Sequence, residues 1–87
     1  MPPARPPLME AHAEAVAEAK AALKAAGLRG SVLLTSAGMG CVAIHVTGVG
    51  ADGRAVPRMA SVENEEIAVE VAIKRCVRDI IAAAGGG

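Results

Sequence analysis

No phenylalanine, tyrosine or tryptophan occurs in this chain of 87 residues. Without aromatic rings there is no platform on which bases can stack, which argues against the readers of single-stranded nucleic acid. Excess charge is missing as well. Nine basic residues balance nine acidic ones, so no strong field of either sign gathers nucleic acid, an anionic membrane or an acidic substrate. Cysteine is scarce: Cys41 and Cys76 are too few for the disulfide framework of a small secreted domain. No apolar run reaches the roughly 18 residues of a membrane span. The opening MPPARPPLMEAHAEA carries prolines and charges where the apolar stretch of a secretory signal would lie. The expectation is a cytoplasmic chain with reduced thiols, no membrane partner and no cofactor.

What is present is aliphatic. Hydrophobic residues make up 53% of the chain, so the interior must be built from Val, Ile, Leu, Met and much Ala. The length suits one small domain, which buries only roughly 60–65% of the surface its unfolded chain exposes. Small side chains add little area per residue, and a second copy of the chain is a direct way to add more. A homodimer is therefore expected.

Residues 1–7, MPPARPP, read as a flexible proline-rich tail. Its P-x-x-P could suit a groove that recognises polyproline helices, but a solvated leader is the simpler reading. Residues 85–87, GGG, read as a disordered end, leaving a domain over 8–84. A first helix is predicted from Leu8 to Ala26, with Gly27 placed for a left-handed cap. Met9, His12, Val16, Ala19, Leu23 and Ala26 form its apolar stripe. Its acids (Glu10, Glu14, Glu18) precede its bases (Lys20, Lys24), as the helix dipole favours. SVLLTS, GCVAIHV and RAVPRMAS read as three strands, the first two joined across AGMG. On the second strand Val42, Ile44 and Val46 are assigned to the core, with Cys41, Ala43, His45 and Thr47 on the other face. Pro57 makes the third strand an edge or a bulged one. A last helix is predicted from Ser61 or Asn64, with Val69, Ile73, Cys76, Val77, Ile80 and Ala84 inward. Ile67 and Val71 fall on nearly the opposite side and need cover.

Gly48, Gly50 and Gly53 in HVTGVGADGRAVP have the G-x-G-x-x-G spacing of a dinucleotide-binding turn. That turn needs a helix directly after it, so that backbone N–H groups and the helix dipole meet the pyrophosphate. RAVPRM is too short and proline-broken to be that helix, whereas Asp-Gly is a turn signal between strands. A hairpin loop is expected. Cys41 and His45 suggest a metal pair, with His12 and Cys76 as further ligands. Four residues of strand, however, span about 13 Å, while donors to one zinc ion stand within about 4.5 Å of each other. No metal site and no catalytic residue is assigned. The acids Glu63, Glu65 and Glu66 of ENEE fit a helix N-terminus without invoking a cation.

The element order, with TSAGMGCVAIHVTG spanning the first hairpin, resembles the YbaB/EbfC family of nucleoid-associated proteins. Gly38, Gly40, Val42, Ile44, Val46 and Gly48 carry the resemblance, which implies a dimer that binds DNA. The family's methionine- and glutamine-rich first helix is absent here, and GVGADG has no place in its pattern. A double-stranded-RNA-binding domain shares the element order, but ENEE stands where its basic cluster would open the last helix.

The fold expected is a single small α+β domain in the order α-β-β-β-α, a three-stranded antiparallel sheet covered on one face by two helices. The function expected is a non-enzymatic homodimeric module that binds another protein. Its surfaces are the open sheet face (Ala43, His45, Thr47) and the second stripe of the last helix (Ile67, Val71). The alternative is a DNA-binding architectural protein with contacts at Arg54, Arg58, Arg75 and Arg78, assisted by Lys74. A small-ligand or metal protein built on Cys41 and His45 is the third reading.

Overall fold

The computed structural model describes residues 8–85; both expected tail segments, 1–7 and 86–87, lie outside the described residues. The elements are α1 (Leu8–Ala11), α2 (Ala13–Ala25), β1 (Arg29–Gly38), β2 (Cys41–Val49), β3 (Ala55–Glu63) and α3 (Glu66–Gly85). The strands form one antiparallel sheet in the order β1-β2-β3. Helix α2 packs on β1, α3 packs on β2 and β3, and the two helices pack on each other. This is the expected α+β domain, with α3 closing on Gly85 rather than before it.

The first helix is one helix with a break. His12, expected on its buried stripe and found buried, adopts φ −120° and ψ 31° between α1 and α2. Its N–H still donates to the Leu8 C=O at 3.2 Å, and its C=O accepts from the Val16 N–H at 3.0 Å. At the other end Gly27 has φ +83°. Its N–H donates to the Lys24 C=O and that of Leu28 to the Leu23 C=O, each at 2.9 Å. This paired closure is a Schellman motif, and it folds Leu28 back over Leu23, with both side chains buried. The stripe ends there, because Ala26 is exposed.

The alternation of β2 is as expected, with Val42, Ile44 and Val46 sealed against the helices. Met39 and Gly40 form the tight turn to β1 with φ of 52° and 75°, the left-handed pair of a type I′ hairpin. The bulge lies in β1, where the register shifts between Ser36 and Gly38, and not in β3. The β3 strand is unbroken and lies at the sheet edge. Its ladder is bracketed by Gly50 N–H to Arg54 C=O at 3.0 Å and Asn64 N–H to Gly40 C=O at 2.8 Å. Antiparallel pairs alternate between bonded and non-bonded. Counting from either bracket, Val56, Arg58, Ala60 and Val62 bond to β2, while Ala55, Pro57, Met59, Ser61 and Glu63 turn their backbone groups outward. Pro57 thus sits where a missing N–H costs no ladder bond.

The predicted start of the last helix is corrected. Ser61 lies within β3 and Asn64 is tied to the hairpin, so neither caps α3; the Glu65 C=O accepts the first helical bond, from Val69 at 2.9 Å. Val69, Ala72, Ile73, Cys76, Val77 and Ile80 are buried, while Ala84, predicted inward, is exposed. The glycine stretch is the expected hairpin: Gly48 belongs to β2, and the Gly53 N–H donates to the Gly50 C=O at 2.9 Å.

A core without aromatic rings closes here by letting the helices come near the sheet. Gly30 and Gly48 are cross-strand partners on the helix side. A Cβ at Gly30 would stand 2.5 Å from Leu23 Cδ1, and one at Gly48 would stand 2.7 Å from Ile80 Cγ2. The glycine pair is a notch that seats these two fully buried side chains. Among the described residues, no helix is long and apolar enough to cross a membrane.

Candidate interaction face

Because both helices lie on one side, the other side of the sheet is open among the described residues. Register assembles it in cross-strand rows: Ser31–Thr47–Pro57, Leu33–His45–Met59 and Thr35–Ala43–Ser61. None of these side chains is a carboxylate, lysine or arginine. Charge appears only in the end rows, at Arg29 beside Val49 and Ala55, and at Glu63 beside Cys41. The predicted trio Ala43, His45 and Thr47 forms the centre line of this face and is half-buried by its neighbours.

The sequence reading missed the flanks of the face. Leu33 is 53% exposed and Met59 71% exposed, on either side of His45. Strict alternation along β1 and β3 carries the signal for both, since each is one residue out of phase with the core positions.

Ile67 and Val71, predicted to need cover, are 74% and 45% exposed. Ile67 lies on the outer crest of α3, and Val71 on the flank that borders the groove beside the β3 edge; both are on the helix side, away from the open sheet face. The two apolar surfaces meet at the β3 edge, where Met59 and Val71 line one groove.

The cations do not form one patch. Arg54 lies at the β2–β3 loop, with its backbone N–H held by the Asp52 carboxylate at 3.0 Å. Arg78 lies with Lys74 along the α2–α3 groove, beside Glu18 and Glu70. Arg58 and Arg75 line a different groove, of about 510 Å³, between the β3 edge and α3. Arg58 points to the helix side of the sheet, and its guanidinium donates to the Pro57 C=O at 2.7 Å. Met59, Ala60, Val62, Ala68, Val71, Ala72 and Cys76 make the rest of this groove apolar, and Asp79 closes it.

The thiols are apart in role. Cys41 is half-buried on the open face and Cys76 is buried under α3. Burial pushes the Cys76 thiol pKa up, the Asp79 carboxylate adds to the rise, and the Arg58 guanidinium opposes it. The thiolate is disfavoured, so Cys76 is a weak nucleophile. Among the described residues, no three His, Cys, Asp or Glu side chains gather as a metal site. Comparison with protein-family models, curated proteins and solved structures finds no match to this chain.

Proposed function

We propose that this chain is a non-enzymatic homodimeric module that receives a protein partner on its open sheet face. The observation that carries the reading is the uncharged interior of that face, with Leu33 and Met59 exposed around His45. Charge depletion at the centre of a surface, with charge kept to the rim, is what distinguishes protein interfaces from ordinary surface. Phosphate binding needs cations that act together, and the four arginines stand in three separate places.

The test compares the wild-type chain with Leu33→Glu and Met59→Glu. Both positions are exposed, so the variants keep the fold. A discrete host protein retained by the wild type and lost from both variants is the expected result. Equal retention by all three defeats the sheet-face reading. Retardation of duplex DNA that weakens steeply between about 50 and 200 mM salt replaces it with the arginine reading.

A further inference from the structure

We propose that two copies of this chain join edge to edge through β3, so that their sheets run on as one and their α3 helices pack side by side. This rests on the homodimer reading above and assigns the surface that makes the dimer.

Among the described residues no strand pairs with the β3 edge along Met59, Ser61 and Glu63, whose N–H and C=O groups point outward, the Glu63 C=O also accepting the Glu65 N–H at 2.8 Å. Pro57 closes the usable edge at one end, having no N–H and a carbonyl already engaged by Arg58. A second β3 running antiparallel, with a two-fold axis at Ser61, uses every free group. Ser61 exchanges both bonds with the partner's Ser61; the Met59 C=O accepts the partner's Glu63 N–H, and the Met59 N–H takes the second lone pair of the partner's Glu63 C=O, beside the internal bond from Glu65. A slip towards Pro57 brings in a residue that cannot reciprocate. A slip the other way leaves Met59 unpaired. The edge therefore selects its own register.

The helices agree with this axis. Helix α3 lies over β2 and β3. With strands about 4.8 Å apart, the two α3 axes come to roughly 10 Å, close to the 8–10 Å of packed helices. The side of α3 facing the β3 edge carries Ala68, Val71, Ala72 and Arg75, small where the helices must close. The charge pattern is self-complementary. Glu65 and Glu66 stand at the start of α3, and Arg75 lies beyond Val71. Antiparallel helices crossing near Val71 lay the acidic start of each along Arg75 of the other, twice over by symmetry.

Joining the sheets also resolves a problem of size. Three strands of about 4.8 Å width and about nine residues' length give an open face of roughly 430 Å². A stable protein interface takes about 800 Å² from each partner. The joined face doubles the area that one copy offers a partner.

The experiment measures molecular mass across a concentration series for the wild type, Ser61→Pro and Val71→Glu. Proline at residue 61 removes an outward N–H and no bond to β2. Glutamate at residue 71 places like charges across the axis. The expected result is a wild-type dimer whose dissociation constant rises at least about 100-fold in each variant, with far-ultraviolet dichroism unchanged. If Ser61→Pro fails to fold, Val71→Glu, at an exposed position, decides. A wild-type dimer left intact by the folded variants overturns this interface while the homodimer reading stands. A wild type that is monomeric throughout overturns both.

Discussion

Gly48→Ala inserts a single methyl group where α3 meets the sheet. Its Cβ would stand 2.7 Å from Ile80 Cγ2 and 3.3 Å from Leu28 Cδ1. Neither neighbour can step aside into solvent, since Ile80 is fully buried and Leu28 is buried under the turn after α2. Overpacking of this kind costs about 1–3 kcal/mol. Replacing glycine stiffens the unfolded chain and returns roughly 0.5–1 kcal/mol. The net loss is about 0–2.5 kcal/mol, centred near 1 kcal/mol, which at that centre lowers the Tm of a domain this size by roughly 4–8 °C. Thermal unfolding followed by circular dichroism at 222 nm measures it, at one fixed protein concentration so that association does not shift the midpoint. Ile80→Ala should cost about 2–5 kcal/mol alone by leaving a cavity. Combined with Gly48→Ala it should cost less than the two separately, because the new methyl then enters vacated space. A Gly48→Ala protein more stable than the wild type would refute the notch, and strict additivity would refute the contact with Ile80.

Two further outcomes follow from single residues. Met39 holds φ 52° at the hairpin tip and is fully exposed, so Met39→Asn loses no packing and suits the left-handed turn. Chemical denaturation should find it more stable by about 0.5–1 kcal/mol, and a destabilised protein would contradict the turn assignment. The Cys76 thiol has its pKa raised above the ordinary 9.0 by burial first and by Asp79 second. The folded state therefore holds this proton more tightly than the unfolded state. The stability linked to it is present below pH 9 and is lost as the pH climbs through the folded value. Cys76→Ala should flatten that alkaline loss in a pH series of thermal midpoints, and an unchanged slope would exclude the thiol as its source.

The element order was legible because each element carries its own local signal. The β2 alternation placed Val42, Ile44 and Val46 inward, and Gly27 marked the end of α2. The break at His12 had no such signal, with neither glycine nor proline beside it. The start of α3 was misread because Ser61 and Asn64 are good caps in isolation. What overrode them was the ladder, which carries β3 on to Glu63 and ties Asn64 to Gly40. The candidate face was half legible for a related reason. Ala43, His45 and Thr47 follow from one strand alone, whereas Leu33 and Met59 join them only through register. Register places Leu33 through the turn at Met39–Gly40 and its adjacent bulge, and Met59 through the Gly50–Arg54 loop. Arg58 was grouped with other arginines by type, but its phase in β3 sends it to the helix side.

The shift between Ser36 and Gly38 in β1 has a consequence beyond the hairpin. A three-stranded sheet exposes two borders, and a chain that joins through both can add copies without end, as a fibre does. The two borders differ in backbone: Pro57 marks the β3 edge, and the bulge marks the hairpin end of β1. The extra residue interrupts the even spacing that a docking strand must match. In the proposed dimer, the two-fold pairing of β3 with β3 uses the β3 edge of both copies and so closes at a pair.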